Sequence, residues 1–194
     1  IGELAARRAR PFTSWANAPD PGRALRIGIV SGDLRSHPVG HFLEGVLAAL
    51  TARVPRLLEF HAYSNCDVHD SVSMRIAAAC QSWCPDAGLS DEALARRIHS
   101  DGIDILLDLS GHTALNRLTM FAWKPAPVEV SWLGYFATTG VAAIDYLIAD
   151  PWTLPTSEEG NFTERIWRLP ETRLCFTPPS ADIPVLTLAA CTNG

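Results

Sequence analysis

The residues of this chain best able to do chemistry sit in three short stretches. The first is Ser31-Gly32-Asp33-Leu34-Arg35-Ser36-His37-Pro38-Val39-Gly40-His41. Pro38 suits the opening of a helix, because its missing N–H costs nothing there. His37 is therefore expected just ahead of a helix N-terminus, where backbone donors attract an anion such as a phosphate. The positive helix end also disfavours an imidazolium, which leaves a neutral ring able to accept a proton. Gly32 permits a sharp departure from whatever precedes it. The run is not a G-x-G-x-x-G fingerprint and gives little support to dinucleotide binding. Simple capping and packing by His37 and His41 is the competing reading of the same residues.

The second stretch is Ser110-Gly111-His112-Thr113, directly after Asp108-Leu109. His112 there either touches a ligand or bonds a neighbouring loop carbonyl. The third is Trp132-Leu133-Gly134-Tyr135-Phe136-Ala137-Thr138-Thr139-Gly140. Gly134 would let backbone amides approach a ligand, and the aromatic faces suit a sugar; a packed turn is the alternative.

These stretches need elements to position them, and the apolar pattern supplies them. Leu25–Ser31 is short, apolar and β-branched, as a buried parallel strand is. Phe42, Leu43, Val46, Leu47 and Leu50 then recur at helical spacing. The alternation continues: strand Leu57–Tyr63, helix Ser71–Ala79, short strand Gln81–Cys84, helix Asp91–Ser100 capped by Ser90, strand Ile103–Leu109. A helix over Leu115–Ala122 and strands at Val128–Trp132, Tyr146–Ala149 and Ile166–Leu169 complete it. Strands separated by helices specify βαβ units, so the fold class is α/β: a Rossmann-like parallel sheet with helices on both faces. In such a sheet ligands bind beyond the carboxyl ends of the strands, where all three stretches fall.

The pattern divides the chain into residues 1–24, helical over Glu3–Arg10 and then a proline-broken linker; residues 25–179, the lobe; and residues 180–194, a departing linker. The chain begins without Met and ends on Thr192-Asn193-Gly194, which suggests a piece of something larger. Sixteen Lys and Arg against 21 Asp and Glu give a net charge of −5, which argues against a nucleic-acid binder that needs a basic face. No run of about 18 apolar residues marks a membrane span, and the start does not read as a secretory signal. Five cysteines without framework spacing suit reduced thiols in the cytoplasm. Cys80 and Cys84 with His69 make an incomplete zinc set, so no metal site is expected.

In order along the chain, Leu25–Leu43, Asp101-Gly102-Ile103-Asp104-Ile105-Leu106, Pro125-Ala126-Pro127, Trp132-Leu133-Gly134-Tyr135, Asp145-Tyr146 and Leu169-Pro170 resemble landmarks of the O-linked N-acetylglucosaminyltransferase family. The resemblance covers nearly all of Leu25–Pro179 and only the amino-terminal lobe of that family's catalytic region. It implies one lobe of a two-lobed GT-B glycosyltransferase that inverts configuration at the sugar and needs no metal or other cofactor. It also implies a UDP-GlcNAc donor, a protein Ser/Thr acceptor, a second lobe and preceding tetratricopeptide repeats. On this isolated piece, activity is expected to be absent. By position, His37 resembles the family's His-Pro histidine, beside donor phosphate and acceptor hydroxyl and considered as general base. Asp33 matches an aspartate at the reaction centre, Leu133 and Gly134 match residues touching the donor sugar, and Arg117 matches an arginine of the preceding loop. Pro38 and Val39 complete the substrate side. Val39 replaces a threonine of animal members, His112 a tyrosine and Phe136 a proline. Those departures keep open a SPINDLY-like branch that transfers fucose, and a non-catalytic binding module is the third reading.

Overall fold

The computed structural model describes Arg7 and residues 9–176. The expected Glu3–Arg10 helix lies largely, and the expected linker 180–194 wholly, outside them. Seven strands form one parallel sheet: β1 (Leu25–Ser31), β2 (Leu58–Ser64), β3 (Ser82–Pro85), β4 (Ile105–Asp108), β5 (Val128–Ser131), β6 (Tyr146–Ala149) and β7 (Arg165–Arg168). Their spatial order is β3-β2-β1-β4-β5-β6-β7. Between them run α1 (Pro38–Arg53), α2 (Ser71–Ala78), α3 (Asp91–Ser100), the single turn α4 (Leu118–Phe121) and a 3-10 helix at Thr156–Asn161. Because β2 and β4 flank β1, strand order reverses there, and the β1 and β4 loops border the resulting crevice.

Each face of the sheet has its own core. Ile27 and Ile29 of β1 point with Phe60 and Ala62 toward Leu43, Leu47, Val72 and Ile76 of α1 and α2. Val30, Tyr63 and Leu106 point the other way, toward Leu94, Ile98, Leu118 and Phe121 of α3 and α4. On that second face β1 carries Gly28, where an added Cβ would stand 2.6 Å from Leu106 Cδ1. The close approach of Leu106 and Ile103 to β1 therefore depends on the missing side chain.

The first helix begins at Pro38 with His37 as its cap, as expected from the proline. One expectation shifts. The expected Leu115–Ala122 helix shrinks to one turn: Leu115 has φ +59 and Arg117 sits at φ −122, ψ 28, neither compatible with a continuous helix.

The proline-broken segment before β1 has no regular structure, yet it is fastened to the amino edge of the sheet. Phe12 N–H donates to Trp123 O at 2.8 Å, and the Phe12 ring stacks on His99 with centroids 3.9 Å apart. Trp15 Nε1 donates to Lys124 O, and Asn17 Nδ2 to Asp104 Oδ1. Arg23 grips both oxygens of Asp104 at 2.6 and 2.7 Å. Partial burial raises the Asp104 carboxyl, but the Arg23 guanidinium, Arg26 N–H and Asn17 outweigh it and hold it at about 2.

Candidate functional site

The loop after β1 is compressed against the helix it opens. A Cβ on Gly40 would lie 2.1 Å from Arg35 O, so only glycine lets the 32–37 segment fold back over the first turn of α1. His37 is the N-cap of α1, with extended backbone, and its Nδ1 accepts from Val39 N–H at 3.3 Å. A nitrogen that accepts an N–H carries no proton, so the neutral ring keeps its proton on Nε2. Nε2 lies 3.8 Å from Asp33 Oδ1; the His37 side chain is 34% exposed and that of Asp33 8%. Arg35 Nη2 donates to the same Oδ1 at 3.2 Å. Pro38 occupies the first turn, and Val39 is buried among Leu34, Leu43 and Leu133. Val39 can therefore offer a ligand little beyond its backbone.

Buried carboxylates hold the neighbouring loops. Asp108, at the end of β4, accepts from Ser110 N–H, Gly111 N–H and Ser131 Oγ. Burial pushes its carboxyl up against the pull of those donors. Ser110 Oγ is 3.3 Å from Ser31 Oγ, which in turn accepts Asp33 N–H, so the β1 and β4 loops meet. Glu164, ahead of β7, accepts from Thr139 N–H at 2.7 Å and Thr138 Oγ1 at 2.8 Å, fixing the loop after β5.

The structure does not bring every expected residue to the crevice. His112 is exposed and donates through Nε2 to Thr138 O at 3.0 Å: of the two readings, the loop-carbonyl bond is the one made. Arg117, expected at substrate, points instead toward the β2 and β3 loops. Its guanidinium bonds Leu89 O, Asp91 Oδ1, Asn65 Oδ1 and Asp86 O and is 12% exposed. An arginine so engaged has no free fork for a ligand.

Leu133 and Gly134 also differ in role. The Leu133 side chain packs into the α1–α2 core, and its carbonyl accepts from Arg173 Nη1 at 2.9 Å. Leu133 has φ +65, and Gly134 N–H reaches back to Trp132 O at 3.0 Å, a tight three-residue turn. A Cβ on Gly134 would fall 2.4 Å from Ser110 O, so this glycine admits the protein's own backbone and not a ligand's. The turn throws Tyr135 and Phe136 outward as a stacked pair, centroids 5.3 Å apart, with Phe136 67% exposed. Asp33, His37 and this pair are what the fold presents along its carboxyl edge.

Sequence reasoning missed Asp108, Glu164, Arg173 and Asp70. Asp108 had a local signal, an acid ending a strand ahead of Ser-Gly; Glu164 and Arg173 act only through contacts distant in sequence. Among the described residues Cys66, Cys80, Cys84 and Cys175 are free thiols, and no three of His, Cys, Asp or Glu converge as metal ligands. No helix among them is long and apolar enough to cross a membrane.

A parallel α/β sheet whose β1 loop sets a helix-capping histidine beside an aspartate at the switch point has the layout of a ligand-binding lobe. Residues 4–176 match the family described as glycosyl transferase family 41, and the chain belongs to that family. It is 36% identical over 189 residues to the probable UDP-N-acetylglucosamine–peptide N-acetylglucosaminyltransferase SPINDLY of Petunia hybrida, covering 97% of this chain and 20% of that one. It is 32% identical over 164 residues to the corresponding SEC protein of Arabidopsis thaliana, covering 82% of this chain and 17% of that one. A solved mutant of the Thermobaculum terrenum O-GlcNAc transferase superposes with a TM-score of 0.84 at 41% identity, over 96% of this chain and 36% of that one. The chain thus spans about a fifth of the curated relatives it matches.

Proposed function

We propose that this chain is the amino-terminal catalytic lobe, residues 25–179, of an inverting O-glycosyltransferase that moves N-acetylglucosamine from UDP-GlcNAc to Ser or Thr of a protein. Family membership and the names of its relatives support the reaction class. The observation that carries the reading is the Asp33–His37 pair, 3.8 Å apart at the N-terminus of α1.

In the reaction the acceptor hydroxyl oxygen bonds to the anomeric carbon. The bond from that carbon to the diphosphate breaks, leaving its electron pair on the departing phosphate oxygen. The hydroxyl proton passes to a base. The pair offers both partners this needs: a carboxylate that accepts, and an Nε2–H that donates to an oxygen. The positive end of the α1 dipole favours the anion that leaves, and the proposed chemistry runs without a metal. Lys124, the sole lysine of the sequence, bonds Asp145 and Ala143 O at the opposite edge of the sheet. Cationic help for the diphosphate therefore comes from arginines such as Arg35 or from a second lobe. That lobe and a preceding tetratricopeptide region form part of the same proposal.

In the transferase carrying this lobe, His37→Ala is expected to cut kcat by about 10²–10⁴-fold, with a smaller change in donor KM. Wild-type turnover in that variant would remove His37 from the mechanism. Competition between UDP-GlcNAc and GDP-fucose in the same assay separates the two donor readings.

A further inference from the structure

Asp70 does two jobs with two oxygens. Oδ1 accepts from Val72 N–H and Ser73 N–H, both at 2.9 Å, as the N-cap of α2. The cap is reciprocal, since Ser73 Oγ receives Asp70 N–H at 2.7 Å. Oδ2 needs no part in that cap. It reaches across to the loop after β1 and accepts Ser36 N–H at 2.6 Å, from a residue 34 positions away. Ser36 immediately precedes His37, and no side chain stands between the gripped amide and the imidazole's own backbone.

We propose that Asp70 is a positioning residue for the catalytic loop: its second oxygen ties the peptide ahead of His37 to the N-terminus of α2 and so fixes where the ring enters the crevice. This rests on the reading of His37 as the catalytic group. The loop has few other anchors on that side. Gly40 sets its contact with α1, and Ser31 Oγ holds Asp33 N–H, but Ser36 is exposed and its amide has the Asp70 carboxylate as partner. The backbone amides of Ser73 and Ser36 hold the Asp70 carboxyl below the usual carboxylate range, so the tether is a carboxylate at neutral pH.

The two jobs can be separated by mutation. Asp70→Asn keeps a carbonyl oxygen to cap α2, since Asn caps as well as Asp. It turns an amide NH2, a donor, toward the Ser36 N–H. Asp70→Ser likewise caps but has no second oxygen. Ser73→Ala weakens the same cap without touching Ser36 and serves as the matched control for helix stability.

In the transferase carrying this lobe, Asp70→Asn and Asp70→Ser are expected to lower kcat about tenfold to a hundredfold, the scale of a misplaced catalytic group, with donor KM changing less than about twofold. Ser73→Ala is expected to lose thermal stability while keeping kcat within about twofold of wild type. In the 194-residue chain, amide exchange at Ser36 should speed up in Asp70→Asn while Val72 and Ser73 stay protected. Wild-type kcat in Asp70→Asn, or an equal loss in Ser73→Ala, would overturn the assignment. Unchanged Ser36 exchange would overturn the tether itself, independently of whether the protein transfers a sugar.

Discussion

The amide of Val39 points at Nδ1 of His37 from 3.3 Å, and this one contact decides where the imidazole keeps its proton. A ring that merely sat near a helix end would be free to exchange tautomers. This one is committed to Nε2–H, with Asp33 Oδ1 3.8 Å from that nitrogen. For Nε2 to take a proton from an acceptor hydroxyl in the proposed reaction, the ring would first have to surrender its cap.

Two-bond 15N–1H spectra of the chain, recorded where the ring is neutral, should show His37 Nδ1 as the bare nitrogen and Nε2 as the protonated one. The reverse assignment would mean the cap bond is not made. His37→Asn should retain helix stability, whereas His37→Ala should lose about 1 kcal/mol, the usual value of an N-cap.

Gly134 tests the packed-turn geometry. Its absent Cβ is replaced by backbone, Ser110 O at 2.4 Å and Leu109 O at 2.8 Å, and neither can swing aside as a side chain would. Gly134→Ala should cost about 3 kcal/mol, which in a domain of this size lowers Tm by roughly 6–12 °C. Gly88, with nothing within 4 Å of its Cβ position, provides the control, and Gly88→Ala should leave Tm nearly unchanged. Comparable losses in both variants would show that the close approach at Gly134 is not what matters.

Glu129 predicts a pH dependence. It is fully buried on β5, and among the described residues neither carboxyl oxygen has a hydrogen-bond partner. Burial pushes its carboxyl well above the ordinary value, and nearby Lys124 does not reverse this. The folded protein therefore holds a proton that the unfolded chain releases above about pH 4.3. Stability contributed by the neutral acid is complete below that pH and falls as pH rises through the folded value. Glu129→Gln keeps the neutral shape and should flatten that fall: Tm equal to wild type near pH 4, and higher than wild type by pH 8. A Tm difference that does not grow with pH would refute it.

The elements were legible in the sequence because parallel strands and amphipathic helices write their burial into local periodicity. Leu25–Ser31, Asp91–Ser100 and Tyr146–Ala149 emerge with the expected limits. His37 before Pro38 was readable for the same reason, since a cap and a first-turn proline are neighbours in sequence. What the order of residues concealed is which polar group meets which across the carboxyl edge. Arg117 looked like a ligand-binding arginine, yet Asp86, Leu89 and Asp91, some thirty positions earlier, engage it. Leu133 looked like a sugar contact, and only its positive φ reveals that the chain turns its side chain inward. Asp70 showed its helix-capping half in Asp-Ser-Val-Ser, while the half that reaches Ser36 spans the fold.

The segment from Phe12 to Arg23 crosses the sheet at the end opposite the Asp33–His37 pair. It is pinned at Trp123, Lys124, His99 and Asp104. A pull or twist delivered there bears directly on the roots of β4 and β5, and those two strands run like rigid spars beneath the loops that frame the crevice. A load placed on that segment reaches the histidine only along the length of the sheet.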